Sequence, residues 1–230
     1  TNSDIGVFNI NGHPFPSLNL FRKSNKNDQL KKHKLFTDLS YKILDKANKK
    51  DIVFINLRMP YHFGDEWYQG KYAKFVEFGS NRVYSKRSYF KKWLEALESF
   101  SKLLDKKGVS VVLSYPTPEF PYALTKQCKE QNPNWFNYYS KKDCSAPIEF
   151  FNSENGKYHF MISEIKKLEK TQKNIYLFNS LSALCPESKC TYSHENNKLY
   201  RDDDHLSNYA ARFIIAPELL KLIEINRLLP

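Results

Sequence analysis

Val109-Ser110-Val111-Val112-Leu113-Ser114-Tyr115 is a short apolar run rich in β-branched side chains. Gly108 precedes it and Pro116-Thr117-Pro118-Glu119-Phe120-Pro121 follows, so both of its ends are sharp. A run this continuous, with little polar alternation, predicts a strand buried on both faces, as in a parallel sheet covered by helices. Proline cannot donate to a ladder, which stops the strand at Tyr115.

The same reading extends outward in both directions. Upstream, Ser88 to Lys106 carries Phe90, Trp93, Leu94, Leu97, Phe100, Leu103 and Leu104 at three- and four-residue steps, which predicts an amphipathic helix. Before it, Asp51-Ile52-Val53-Phe54-Ile55-Asn56-Leu57 is a second run of the buried-strand kind, and Arg58-Met59-Pro60-Tyr61-His62-Phe63-Gly64 leaves that strand. A helix is expected from Asp28 to about Asn48, with Leu35, Phe36, Leu39, Ile43, Leu44 and Ala47 on one stripe. Its lysine-rich last turn suits the negative end of the helix dipole. Residues 1 to 28 read as irregular, and residues 65 to 84 as a loop or a small hairpin.

Downstream, a long connection covers residues 116 to 147. A helix is then predicted from Asn152 to Lys170, with Tyr158, Met161, Ile162, Ile165 and Leu168 inward, and a third strand from Asn174 to Asn179. Ser207 can cap a last helical region in which Ala210, Phe213 and Ile214 face inward. Pro217 breaks that helix or begins another, Glu218 to Leu228. Alternating helices and strands imply right-handed crossovers, and hence one α/β domain over residues 1 to 230, a three-layer α/β/α sandwich with a parallel sheet. Ligands of such sheets bind outside the carboxyl ends of the strands, which is where Arg58, Tyr115 and the turn carrying Asp202 and His205 belong.

Composition narrows the classes. The chain has 230 residues, 41% hydrophobic and 15% aromatic, enough to bury a sizeable core. No apolar run approaches the roughly 18 residues of a membrane span. Thr1 to Asn11 lacks the basic start and apolar run of a signal peptide, so any exporting segment is expected outside this chain. The net charge of +11 comes mostly from scattered lysines, such as Lys49-Lys50, Lys106-Lys107 and Lys166-Lys167. Doublets of that kind at helix ends and on polar faces read as solvated surface. Neither zinc-finger spacing nor an RNA-recognition signature is present, so nucleic acid is not the expected partner. Of the four cysteines, Cys128–Cys144 and Cys185–Cys190 form the simplest disulfide pairing, which implies an oxidising compartment. The alternative is four reduced cysteines in the cytosol.

Tyr200-Arg201-Asp202-Asp203-Asp204-His205-Leu206-Ser207 sets a histidine among carboxylates just before a helix. On a tight turn the D-x-x-H spacing brings the Asp202 carboxylate to the Nδ1 side of His205, fixing the tautomer and leaving Nε2 as a general base. One histidine beside three carboxylates is thin for a metal site, and neither a metal nor a cofactor is expected. His62 leaves the same strand as Arg58 and could approach the cleft. His13, His159 and His194 read as loop or surface histidines.

Leu184-Cys185, Cys190 and the run from Lys198 through Tyr200-Arg201-Asp202-Asp203-Asp204-His205-Leu206-Ser207 to Ala211 together resemble the last block of the SGNH domain fused to membrane acyltransferase-3 proteins. Those are bacterial enzymes that O-acetylate surface polysaccharides. Asp51 to Tyr61 resembles that family's strand ending in an arginine and an aromatic. Tyr115 to Cys128 resembles its proline-rich loop. The likeness covers roughly residues 30 to 225, with the final block its specific part.

The resemblance implies an SGNH-hydrolase fold of the flavodoxin-like type, with His205 as general base and Asp202 as its orienting partner. It also implies a serine nucleophile in a Gly-Asp-Ser-His block. This sequence contains no Gly-Asp-Ser; Gly64-Asp65-Glu66 is the nearest string, and the G-x-S-x-G elbow is absent too. The serine is therefore expected upstream of Thr1, or lost. Arg58 and His62 are the candidate oxyanion or substrate-binding residues. The implied function is the periplasmic domain of a bacterial inner-membrane O-acyltransferase, moving acetyl or other acyl groups to a cell-surface polysaccharide. Its implied partners are an N-terminal membrane acyltransferase domain of the same longer protein, which supplies the acyl donor, and the polysaccharide acceptor. The alternative is a catalytically inactive module of the same fold that binds an acidic or acetylated glycan.

Overall fold

The computed structural model describes residues 15–16, 20–22, 34–35, 37–38, 41–42, 44–63, 74–77, 82–120, 144–195, 197–202 and 205–228. In chain order the elements are β1 Leu20–Arg22, β2 Ile52–Ile55, α1 Met59–Phe63, β3 Lys74–Glu77, β4 Val83–Ser85, α2 Lys86–Asp105, β5 Ser110–Ser114 and β6 Ser145–Pro147. They continue with α3 Glu149–Asn152, α4 His159–Thr171, β7 Ile175–Phe178, α5 Ser180–Leu184, β8 Lys189–Thr191, β9 Ser193–His194 and β10 Asn197–Lys198. Last come α6 Asn208–Ala210, a π-helical stretch Ala211–Ile215, and α7 Ala216–Ile225.

A parallel sheet in the order β2-β5-β7 forms the middle layer. Ile52 stands opposite Ser110 and Ile55 opposite Leu113; Val111 stands opposite Ile175 and Ser114 opposite Phe178. The two-residue period of β5 divides the interior. Val111 and Leu113 join Trp93 and Leu97 of α2 and Ile165 of α4 in one core. Val112 points the other way, into a second core with Phe178, Ile223 and Leu228, which α7 covers. The three-layer α/β/α sandwich follows from that alternation. A buried polar latch ties the layers: Ser101 Oγ donates to Asn174 Oδ1 at 2.6 Å, and Asn174 Nδ2 donates to the carbonyls of Ser101 and Val109, each at 3.0 Å.

The β2 strand departs from expectation. It has one described neighbour, β5, and Phe54 is 40% exposed, so the run is not covered on both faces by described residues. The helix expected from Asn152 to Lys170 begins only at His159, and a separate short helix, α3, ends at Asn152. At Gly156 a Cβ would meet the Phe151 carbonyl carbon at 2.7 Å, and the chain turns through this close approach before α4 begins at His159. Phe213 was expected inward but is 60% exposed. The Ala216 N–H donates to the Ala211 carbonyl, a π-type bond whose wider turn rotates the following side chains off the helical stripe. Pro217 sits at the start of α7, which continues from the π-helical stretch through helical backbone at Ile215 and Ala216, so it neither ends the helix nor begins a separate one. Leu103 faces solvent, as does Leu35 in the helical turns described between residues 34 and 46, whereas Leu44 and Ala47 pack on the core.

The hairpin anticipated before residue 84 is β3 paired antiparallel with β4. On the far side of β3 lies β1, from a segment with no readable periodicity. Phe15, from the proline-rich start, accepts the Trp93 indole N–H at its carbonyl (2.9 Å).

Candidate functional site

The carboxyl ends of β5 and β7 are tied to one another by a side chain. The Ser180 Oγ, just past β7, donates to the Tyr115 carbonyl at 2.9 Å, and Ser114 Oγ donates to the same carbonyl at 3.0 Å. Asn179 caps α5 by accepting from the Ser182 N–H at 3.1 Å. These bonds fix where the chain leaves β5 and β7.

The base turn is built next to this edge. The Leu199 N–H donates to the Tyr192 carbonyl, which hangs the segment from the end of β8. Tyr200 and Leu206 form an isolated antiparallel bridge, and the Arg201 N–H donates to the His205 carbonyl at 2.8 Å. Ser207 closes the turn. Its N–H donates to the Leu199 carbonyl, its hydroxyl donates to the Lys198 carbonyl at 2.6 Å, and the same oxygen accepts from the Ala210 N–H at 3.1 Å, capping α6.

Inside the turn, Asp202 Oδ1 accepts from the His205 N–H at 2.7 Å and lies 2.9 Å from His205 Nδ1. One oxygen therefore sets both the backbone and the ring. With the proton on Nδ1, the Nε2 lone pair is the one that can take a proton. The His205 side chain is 55% exposed and that of Asp202 30%, so the ring reaches solvent while the carboxylate is half-buried. Arg201 Nε lies 3.6 Å from Asp202 Oδ2, an exposed cation beside the carboxylate. Asp203 and Asp204 lie outside the described residues.

Arg58 stands at the exit of β2. Its Nε donates to Glu119 Oε1 at 2.8 Å and its Nη2 to Glu119 Oε2 at 3.3 Å, a forked pair. Glu119, on the loop after β5, is buried to 3% exposure. Its N–H donates to the Tyr158 hydroxyl at 2.9 Å, and that hydroxyl donates to the Thr117 carbonyl at 3.1 Å. Burial first, then the Glu119 charge, pushes the Tyr158 phenol well above its ordinary value. The same two causes raise Tyr200, whose buried hydroxyl has no hydrogen-bond partner among the described residues. Tyr115 is pushed up to about 12 by burial and then by Glu169.

The structure thus brings Asp202 and His205 into contact and sets Arg58 against a carboxylate. His62 is buried within α1, its ring 5.8 Å from that of Phe63. Cys185 and Cys190 are bonded; Cys144 is disulfide-bonded as well, and Cys128 lies outside the described residues. Among the described residues no serine completes a triad: Ser114, Ser180 and Ser207 all direct their hydroxyls to main-chain carbonyls. Glu119 and Tyr200 were not singled out from sequence. A lone carboxylate inside Pro116-Thr117-Pro118-Glu119-Phe120-Pro121 was the available signal, because a charge set among apolar loop residues needs a partner.

The fold is a parallel three-layer sandwich with an Asp–His pair on the turn before its last helices. The chain belongs to the SGNH domain family, described as fused to AT3 domains, whose model matches residues 2–218. No curated protein and no solved structure matches it. No described helix is long and apolar enough to cross a membrane.

Proposed function

We propose that these residues form an SGNH-fold module that binds an acidic or acetylated glycan and does not transfer acyl groups by itself. The carrying observation is the Asp202–His205 pair, in place at 2.9 Å with no serine among the described residues positioned to use it. The net charge of +11 suits an anionic polymer. Arg58, whose side chain is 25% exposed, is the substrate-facing residue on this reading, and His62 is buried within α1.

The ready-made pair itself favours a second reading. Here the module is the periplasmic part of a bacterial inner-membrane O-acyltransferase, and the serine lies outside the described residues. The serine Oγ would attack the acyl carbonyl as His205 Nε2 takes its proton. His205 would return that proton to the departing donor group. The glycan hydroxyl would then displace the serine by the same exchange in reverse. The acyl donor would come from the membrane acyltransferase domain.

Two measurements separate the readings: polysaccharide binding by the 230-residue chain, and fluorophosphonate labelling of the full-length protein. Expected are binding of an acidic or acetylated polysaccharide, unchanged in His205→Ala, and no labelling by a fluorophosphonate. Stoichiometric labelling that disappears in His205→Ala would overturn the non-catalytic reading.

A further inference from the structure

Glu119 is a buried charge for which the chemistry above has no use. A carboxylate at 3% exposure is retained only with strong partners, and removing one partner of such a pair is far more disruptive than its net worth suggests. Its partners reach in two directions. On one side, the Arg58 fork clamps the loop after β5 to the exit of β2. The Tyr158 hydroxyl braces the same loop from within by bridging the Glu119 N–H and the Thr117 carbonyl. On the other side, the next residue, Phe120, sets its ring edge-on to Tyr200, with centroids 5.0 Å apart and planes at 86°. Tyr200 is one end of the bridge whose other end is Leu206, and between them lie Asp202 and His205.

The geometry points to Glu119 as a positioning residue for the Asp202–His205 pair. By holding Arg58 it fixes Phe120. Phe120 seats Tyr200, and the Tyr200–Leu206 bridge sets how Asp202 meets Nδ1. The inference rests on the proposed function only in taking Asp202–His205 as the functional centre, and it is independent of which ligand is bound.

Nitrogen NMR of the His205 imidazole in the 230-residue chain tests it, because the ring nitrogens report which of them carries the proton. The wild-type chain is expected to show mainly the Nδ1–H form above the imidazole pKa, with Asp202→Asn as the reference for its loss. In folded Glu119→Gln the Nδ1–H form should fall and the Nε2–H form, which an unconstrained neutral histidine favours, should rise. A folded Glu119→Gln with wild-type His205 signals overturns the proposal. If that variant does not fold, Arg58→Lys carries the same readout, since it keeps the charge and breaks the fork. A changed ratio there supports the proposal and an unchanged one overturns it. A purely structural role would lower the denaturation midpoint and leave the His205 signals of the folded fraction in place. Glycan binding does not enter the measurement, so failure of the binding reading is distinguishable from failure of this one.

Discussion

At Tyr200 a phenol is buried beside a carboxylate with nothing among the described residues to accept its proton. The charged form is the disfavoured one, as it is for Tyr158 and Tyr115. The sign follows directly. A phenol whose folded value lies above its unfolded one contributes stability that is complete below pH 10, the ordinary value, and is lost as pH rises through the folded value. Tyr200→Phe removes a group that must ionise on alkaline unfolding, and it removes no described hydrogen bond. Neutral stability should therefore change by no more than about 1 kcal/mol. The alkaline unfolding midpoint, followed by circular dichroism, should move to higher pH. A midpoint that does not move would show that Tyr200 is not among the groups that drive the alkaline transition.

At the scale of elements, one buried side chain adds polar bonds to the ladder and core that join α2, β5 and β7. Asn174 holds Ser101 and the Val109 carbonyl through three bonds in a buried position. Alanine there would leave several buried polar groups without partners, a loss of about 2–3 kcal/mol. Urea denaturation of Asn174→Ala should show a lower midpoint with an unchanged slope, since the buried surface stays the same. Periodicity made much of this level legible. In α2, Phe90, Trp93, Leu97, Phe100 and Leu104 all lie in the core. It failed where the backbone leaves the standard helix. Gly156 admits a close turn between α3 and α4, and the π-helical stretch turns Phe213 outward, and neither effect alters the spacing of apolar residues. The β1 strand was illegible for another reason: its pairing with β3 joins distant segments, while three residues carry too little pattern to announce a strand.

For the whole molecule, the surplus of cationic side chains predicts how a ligand arrives. If the glycan is acidic, its association rate should fall by roughly an order of magnitude or more from low to physiological ionic strength. Stopped-flow binding across a salt series checks this, and a rate indifferent to salt points to a neutral acetylated glycan. The amino-acid sequence alone determined the alternation of helices and strands, the β5 run buried on both faces and the Asp202–His205 spacing, and it offered Cys185–Cys190 as the simplest pairing. Each of these is local, set by the period of a run or by a few residues along the chain. Tertiary structure alone decided that Arg58 would meet Glu119 and that Phe120 would seat Tyr200. Arg58 and Glu119 are far apart in sequence, and ion pairs between loops of different strands carry no periodicity. Only the parallel register of β2 and β5, which delivers both loops to the same edge of the sheet, puts that carboxylate within reach of the guanidinium.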